Sequence, residues 1–200
     1  MALISGPSFA DDLVNKANID VSLAVTSEIL KDKLINCMQQ PYFKLSPVDD
    51  IKAIEYAGII KNIAAILSGM SDKIHGYSKY TDKIIDLAKA DIIDFRQTYI
   101  TGRKDDSSLI EIINSPGCDG DLNLTCRNNI SRNYQFGAMI ADDEKIIDNI
   151  ISDNKTVEGY DCCITLKESS PLPSGEIVNT TYRILKSNNK QKILNNFLDI

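Results

Sequence analysis

The chain has 200 residues, of which 43% are apolar and 25% charged, and its formal net charge is −6. This balance is ordinary for a soluble globular chain of one domain, and it excludes wholesale disorder, collagen-like repeats and a membrane-spanning bundle. Because phosphate neutralisation needs clustered Lys and Arg, an acidic chain with 22 basic and 28 acidic side chains also argues against direct nucleic-acid binding.

The first forty residues predict two helices. Ser8 to Asp11 resembles a capping box, which would open a short helix that runs through about Ala17. A longer helix is predicted from Val21 to Gln40, because apolar side chains in this segment fall near one face of a helix and Pro41 cannot continue it.

The centre of the chain predicts two long helices. Ser46 and Pro47 supply an N-cap and a first helical residue, and apolar residues then repeat with a 3.6-residue period from Ile51 to Met70. A heptad-like run follows from Asp72 to Ile100. A turn near 69–72 would make the two runs a long antiparallel helical hairpin, and one uninterrupted helix is the other possibility. We expect the second run to supply interface side chains, which are Ile74, Tyr77, Ile84, Phe95 and Tyr99.

Shorter elements are predicted after residue 102. A short helix is expected from Leu109 to Asn114. Residues 115–133 are rich in Gly, Asp, Asn and Ser and predict a long polar loop. Residues 134–140 fit either a strand or a helix, whereas residues 142–152 predict a helix.

The C-terminal part predicts a β-hairpin and a final helix. Apolar side chains alternate with other residues over 157–167 and 177–186, and Pro and Gly lie between the two segments. A short helix is expected at 189–198. The predicted fold class is therefore mainly α, a helical bundle or long antiparallel helical hairpin with a C-terminal β-hairpin. The expected parts, within one domain, are a helical body at 1–114, the polar loop at 115–133 and a smaller α+β part at 134–200.

The polar loop contains a partial metal-binding pattern. Asp119, Asp121 and Asn123 alternate like the first ligands of an EF-hand calcium loop. The match then fails, because Leu124 stands where that loop needs Gly and Ile130 stands where it needs a bidentate Glu. The three residues are therefore weak candidates for an opportunistic divalent metal site, and a solvated turn is the simpler interpretation.

Cysteine and histidine offer little further chemistry. Five cysteines are an odd number, so a complete disulfide framework would leave one thiol over. Cys118 and Cys126 bracket the Asp-rich segment and could form a disulfide in an oxidising compartment, while free thiols are the default in a reducing one. His75 is the only histidine, so any catalytic unit that needs an imidazole would have to use it.

No targeting or membrane-spanning segment is predicted. The N-terminus lacks the basic region and the apolar run of a secretory signal. The most apolar stretch, Ala57 to Met70, is interrupted by Lys61 and Asn62 and is shorter than the roughly 18 residues of a membrane span. We therefore expect the protein in the cytoplasm or in a virion, without a membrane partner.

These observations favour a non-enzymatic protein that acts by protein–protein interaction. No catalytic residue is assigned, no cofactor is expected, and neither glycine-rich nucleotide motif is present. The long amphipathic hairpin and the acidic surface favour a homo-oligomer or assembly subunit. Ile, Asn and Lys are abundant and have AT-rich codons, which indicates an AT-rich genome, that of a low-GC bacterium, a phage or virus, or some protists. A connector or capsid-associated component of a phage or virus fits both observations. The competing hypothesis is a small-molecule or metal-dependent binding module or hydrolase that uses His75 or the Asp119/Asp121 loop.

Overall fold

A computed structural model describes residues 1–101, 108–142, 146–147, 156–170, 172 and 174–200. Most of this chain is helical, which confirms the mainly α prediction. The helix predicted over 142–152 lies for the most part outside the described residues.

The N-terminal region forms a three-stranded sheet that the sequence patterns did not predict. The strand order is β1-β2-β3, in which β1 pairs antiparallel with β2, and β2 pairs parallel with β3. Two short helices lie between the strands. In chain order, the elements are β1 (Ala2–Ser5), α1 (Ala10–Val14), β2 (Ile19–Val25), α2 (Glu28–Met38) and β3 (Phe43–Val48).

The helix predicted over 21–40 is wrong in its first third, because that segment is strand β2. Consecutive residues from Val21 to Ala24 are buried. A strand covered on both faces has no polar alternation, so its sequence cannot be told from a short piece of buried helix by period alone. The strand ends at Val25, and α2 follows an extended N-cap residue, Ser27.

Helices account for most of the remaining described chain. They are α3 (Ile51–His75), α4 (Thr81–Phe95), α5 (Ser108–Ile113), α6 (Asp121–Arg127), α7 (Arg132–Asp142), α8 (Glu158–Glu168), α9 (Glu176–Leu185) and α10 (Lys190–Leu198). Two π-helical segments, Arg96–Thr101 and Pro116–Gly120, precede α5 and α6. The short helix expected at 109–114 and the final helix at 189–198 correspond to α5 and α10.

The start and end of α3 differ from the prediction. Ser46 and Pro47 belong to β3, and the helix is capped by Asp50, whose Oδ1 accepts a hydrogen bond from the backbone N–H of Ala53 at 3.0 Å. The helix continues through the predicted turn at 69–72 and ends at His75. Ser68 and Gly69 favour a turn by residue type, but both lie inside the helix and face packed neighbours rather than solvent.

The predicted β-hairpin is wrong, because α8 and α9 occupy its two strand segments. In α9 the side chains of Ile177, Thr181 and Ile184 are all fully buried, and their spacing of four and three places them on one face of a helix. Isoleucine, valine and threonine favour strands, and a dense run of them fits both a period of two and a period of 3.6.

The predicted polar loop over 115–133 is also wrong, since it contains the second π-helical segment, α6 and the start of α7. Its glycines mark close packing. The backbone N–H of Gly117 donates to Ser22 Oγ at 2.8 Å, and a Cβ atom at this position would lie 3.0 Å from that oxygen. A glycine that packs against a strand looks the same in sequence as a glycine in a turn.

The chain forms two compact units, residues 1–58 with 92–124 and residues 59–91 with 125–200. The first unit contains the sheet, α1, α2, α5 and the second π-helical segment, and the second contains α7 to α10. These units interleave along the chain, whereas the parts expected from the sequence follow one another at 114 and 133.

Among the described residues, α3 meets the length and composition of a membrane-spanning helix, with a mean hydropathy of 1.2 over an 18-residue window. However, 72% of that window is buried inside the protein. Because a buried core helix meets the same criteria, α3 is weak evidence for a membrane span.

Candidate functional site

Three glycines allow α7 and α8 to approach α3 closely. A Cβ atom at Gly137 of α7 would lie 2.7 Å from the carbonyl carbon of Ile66, and Gly69 of α3 meets the α7 backbone in the same way. A Cβ atom at Gly159 of α8 would lie 2.8 Å from the carbonyl carbon of Asn62. Any side chain would push these backbones apart, so the glycines bring the first residues of α7 and α8 to the middle of α3.

An amide pair forms where these three helices meet. Asn133 Nδ2 donates to Asn62 Oδ1 at 3.0 Å, and Asn133 Oδ1 accepts a hydrogen bond from the backbone N–H of Gly159 at 2.9 Å. Asn133 is only 6% exposed. Its hydrogen bonds therefore satisfy polar atoms whose burial would otherwise be costly.

Two charged side chains flank the amide pair. Glu158, the first residue of α8, accepts hydrogen bonds from Asn62 Nδ2 and from the guanidinium of Arg132, both at 3.3 Å. The Arg132 side chain is 70% exposed and that of Glu158 is 53% exposed, so the ion pair itself adds little to stability. We call Asn62, Arg132, Asn133 and Glu158 the polar cluster.

Lys61 brings a second cation to the same turn of α3. It is half-buried, directly precedes Asn62, and acts electrostatically on the thiol of Cys126. Burial is the larger influence on that thiol and raises its pKa from 9.0 to about 12. Cys126 is therefore a neutral thiol at neutral pH and not a nucleophile.

The position of α7 is held by a second contact with α3. The hydroxyl of Tyr134 donates to Asp72 Oδ2 at 2.7 Å, and Asp72 Oδ1 accepts from the backbone N–H of Ser78 at 2.9 Å. Burial and the bond to the carboxylate raise the pKa of Tyr134 well above its ordinary value of 10.0. Because Tyr134 follows Asn133 directly, this contact also fixes the position of Asn133 relative to α3.

The chemistry of the polar cluster suits an anionic, oxygen-rich ligand. Arginine and lysine are the side chains that bind phosphate, and the planar guanidinium can bind it through two N–H groups at once. The asparagine amides supply further N–H donors for hydroxyl or phosphate oxygens. The contact with Glu158 uses one Arg132 nitrogen, and because a guanidinium has five N–H donors in total, others can donate to a ligand.

His75 lies away from the polar cluster. It is the last residue of α3, 13 residues after Asn62, which corresponds to about 20 Å along the helix axis. Its ring packs edge-on against Tyr80 with a centroid distance of 5.3 Å. Its Nε2 is buried and, in the described part of the chain, has no hydrogen-bond partner.

The candidate metal residues are bound to protein groups. Asn123 Nδ2 donates to the backbone oxygen of Asp119 at 2.9 Å and to its Oδ1 at 3.0 Å. Asp121, 3% exposed, accepts a hydrogen bond from Ser5 Oγ at 3.1 Å. Within the described ranges, no three or more His, Cys, Asp or Glu residues come together as a metal site would require.

Cys118 and Cys126 are both fully buried, and no disulfide joins them in the structure. Cys118 lies in the second π-helical segment and Cys126 in α6. Their pairing in an oxidising compartment stays a prediction.

The five predicted interface residues do not form one exposed face. Ile84 is fully buried and Phe95 is 9% exposed, with its ring stacked on Tyr56 at a centroid distance of 3.8 Å. Tyr77 and Tyr99 are exposed, and Ile74 is half-buried. An oligomer built through this run stays a prediction.

The comparisons with known proteins give the family. The family model described as NAD-dependent glycerol-3-phosphate dehydrogenase C-terminus matches residues 50–195. This chain belongs to that family. All of the polar cluster, Lys61 and the three packing glycines lie within the matched residues.

Two relatives named glycerol-3-phosphate dehydrogenase match 94% and 78% of the chain. The chain is 29% identical over 197 residues to a glycerol-3-phosphate dehydrogenase [NAD(P)+] of Wolbachia pipientis subsp. Culex pipiens. This match covers 94% of the chain and 58% of that relative. The chain is 30% identical over 157 residues to the enzyme of that name from Ehrlichia canis. This match covers 78% of the chain and 47% of that relative. The chain therefore spans less than two thirds of the length of these relatives.

A solved dehydrogenase structure has the same fold. The crystal structure of glycerol-3-phosphate dehydrogenase from Coxiella burnetii matches with a TM-score of 0.81 and 25% sequence identity, covering 100% of this chain and 60% of the other. The agreement extends to the N-terminal sheet, which lies before the residues that the family model matches.

The expectation of a non-enzymatic assembly component of a phage or virus is wrong, because the chain belongs to an oxidoreductase family. AT-rich codon usage reports on a genome and not on a function. The expected virion location has no support, while the bacterial relatives are dehydrogenases.

One available sequence signal indicated the polar cluster. Lys61 and Asn62 interrupt the most apolar run in the chain, at positions where a buried helix carries two polar residues side by side. Such residues need partners, and Arg132 and Asn133 form a second basic and amide pair in the same order. The sequence alone could not predict that these two pairs lie next to each other, because their contact depends on the tertiary fold.

Proposed function

We propose that the polar cluster binds glycerol 3-phosphate and that this chain supplies the substrate-binding part of a glycerol-3-phosphate dehydrogenase. The observation that carries the proposal is the exposed guanidinium of Arg132 beside two oriented amides on helices held together by glycine contacts. The substrate is the one for which the relatives are named, glycerol 3-phosphate.

Arg132 is the residue we assign to the phosphate group. It is the first residue of α7, so the positive end of that helix adds to its charge. Asn62 and Asn133 are assigned to the hydroxyl and phosphate oxygens that the guanidinium does not reach. Neutral amides suit these positions, since a ligand with several hydroxyl groups needs hydrogen bonds more than charge.

Lys61 is the residue we assign to the hydroxyl group that is oxidised. Dehydrogenation removes a hydride from the carbon atom, for which the NAD(P)+ named for the relatives would be the acceptor, and a proton from the hydroxyl oxygen, which would pass to solvent. An ammonium group beside that oxygen stabilises the negative charge that develops there. No histidine is close enough for this role, because His75 lies about 20 Å away along α3.

The turn that follows β2 does not fit the dinucleotide cofactor that the family description names. In a parallel sheet, a dinucleotide binds through a glycine-rich turn at the start of a helix that follows a strand. Here β2 leads into α2 through Thr26 and Ser27, and the first turn of α2 carries Glu28, which would repel a phosphate. We therefore assign only the substrate side of the reaction to this part of the chain.

A cavity elsewhere in the sheet does not change this assignment. It has a volume of about 350 Å³ and lies where β2 and β3 begin, between Asp20, Tyr42 and Lys44. Open parallel sheets bind cofactors at the opposite edge, where the strands end.

Calorimetric titration of the full 200-residue chain tests the proposal. We expect glycerol 3-phosphate to bind, glycerol to bind far more weakly, and Arg132→Gln to weaken glycerol 3-phosphate binding by about 10- to 150-fold, the range for one charge-assisted hydrogen-bonded group. Arg183→Gln is the matched control, because Arg183 is exposed on α9 outside the polar cluster. Equal affinities of the unchanged chain and Arg132→Gln for glycerol 3-phosphate, or no binding at all, would contradict the proposal.

A further inference from the structure

The hydrogen bonds of the polar cluster run in one direction from end to end. The chain of bonds starts at the backbone N–H of Gly159, which donates to Asn133 Oδ1 at 2.9 Å. Asn133 Nδ2 then donates to Asn62 Oδ1 at 3.0 Å, and Asn62 Nδ2 donates to Glu158 Oε2 at 3.3 Å. Both ends of this chain of bonds therefore belong to consecutive residues at the start of α8.

The two ends set this direction because neither can be reversed. A backbone N–H can only donate a hydrogen bond, and an ionised carboxylate can only accept one. Each amide between them could turn over and exchange its oxygen with its nitrogen. Such a turn would place donor against donor or acceptor against acceptor, so both amides are held in one orientation.

Glu158 uses both carboxylate oxygens in this arrangement. Oε2 accepts from Asn62, and Oε1 accepts from a nitrogen of Arg132 at 3.3 Å. Glutamine has the same shape, but one of its two terminal atoms is a donor. A glutamine at this position would therefore face at least one of these two N–H donors with another donor.

We infer that Glu158 is a positioning residue, which orients the N–H donors of Asn62 and Arg132 and makes the polar cluster selective for acceptor oxygens such as those of a phosphate monoester. This inference rests on the proposed function for the identity of the ligand. Each amide has a second N–H that the chain of bonds does not use, and the guanidinium has four more. The N–H donors left for a ligand on these three side chains therefore outnumber the remaining acceptor sites, which are one lone pair on each amide oxygen.

The effect of Glu158→Gln on ligand binding separates this role from a simple effect of charge. Removing a negative charge beside a phosphate site would, by Coulomb attraction alone, strengthen anion binding. The mismatch in hydrogen bonding predicts the opposite, a loss of about tenfold in affinity for glycerol 3-phosphate, equivalent to one hydrogen bond. Glu168→Gln is the control, because Glu168 ends the same helix and contacts Tyr182 and Lys186 outside the polar cluster.

A double variant separates positioning from stability. Asn62→Asp combined with Glu158→Gln places a carboxylate between two amide donors, so every donor in the chain of bonds again meets an acceptor. We expect Glu158→Gln alone to lower the unfolding temperature by about 2–4 °C, as one lost hydrogen bond would in a chain of this size, and the double variant to recover it. The affinity for glycerol 3-phosphate stays at least tenfold weaker (roughly one hydrogen bond) in the double variant, because position 62 then has no N–H.

The experiment is calorimetric titration of glycerol 3-phosphate together with thermal unfolding, both on the full chain. Glycerol 3-phosphate affinity that is equal or higher in Glu158→Gln would overturn the inference, and so would a double variant no more stable than Glu158→Gln. If the unchanged chain does not bind glycerol 3-phosphate, the proposed function fails. The unfolding temperatures of the three proteins still test the direction of the hydrogen bonds in that case.

Discussion

Gly137→Ala is expected to destabilise the protein, because Gly137 brings the backbones of α7 and α3 together. A Cβ atom there would lie 2.7 Å from the carbonyl carbon and 2.9 Å from the Cα of Ile66. Carbon atoms in good contact are about 3.5–4.0 Å apart, so the two helices would have to separate by about 1 Å. Overpacking of this kind typically costs about 1–3 kcal/mol.

Gly58→Ala is the matched control, since it is the same change inside a helix. A Cβ atom at Gly58 meets nothing within 4 Å. Alanine is favoured over glycine in a helix interior by about 1 kcal/mol, so this variant should be more stable than the unchanged chain. The two substitutions are therefore expected to shift the free energy of unfolding in opposite directions.

Urea unfolding followed by circular dichroism measures both free energies of unfolding, and thermal unfolding provides a second measure. Each 1 kcal/mol corresponds to about 2–4 °C in Tm for a chain of this size. If Gly137→Ala is as stable as Gly58→Ala, the close approach of α7 to α3 is wrong. The position of Asn133 relative to Asn62 would then lose its support.

Three further predictions follow from buried polar groups. Asp91→Ala should lower the free energy of unfolding, measured in urea, by about 1–2 kcal/mol. The Asp91 carboxylate caps α9, because it accepts hydrogen bonds from the backbone N–H groups of Glu176 and Ile177 at 2.8 and 2.9 Å. An unchanged unfolding midpoint would exclude this cap. Tyr134→Phe should cost about 1.5–3 kcal/mol in the same assay, since its hydroxyl bonds to a carboxylate, and a loss below 0.5 kcal/mol (roughly, by this scale) would show that the bond is not formed. Because burial raises the pKa of Cys126 from 9.0 to about 12, the folded state retains a proton that the unfolded state loses, so this stabilisation is complete below pH 9 and is lost as the pH rises towards 12. Unfolding series at several pH values should show a decline up to about 1.4 kcal/mol per pH unit shallower in Cys126→Ala than in the unchanged chain, and parallel declines would contradict the burial of this thiol.

The spacing of apolar residues predicted the elements in which that spacing fits only a helix or only a strand. α3 has apolar residues at helical spacing over 25 residues, and α5 and α10 follow clear stop and start signals. β2 has no polar face, so a buried strand and a buried helix were equally compatible with its residues. In α9, β-branched residues on one helical face also alternate with a period of two.

The candidate site was harder to predict because its residues are ordinary one by one. Asn133 follows an arginine in a segment that resembled a polar loop, and Asn62 is one of two polar residues that interrupt an apolar helical run. Their meeting depends on Gly137 and Gly159, whose role as packing positions is invisible without the partner backbone. Tertiary packing, and not local propensity, assembles the polar cluster.

A crystal structure of the chain with glycerol 3-phosphate would show whether the polar cluster is the substrate site. We expect the phosphate group within hydrogen-bond distance of the Arg132 guanidinium, with the amides of Asn62 and Asn133 donating to ligand oxygens. Glu158 would remain in contact with Asn62 and Arg132. Ligand bound elsewhere in the chain, or a phosphate group that Arg132 does not contact, would exclude the polar cluster as the phosphate site.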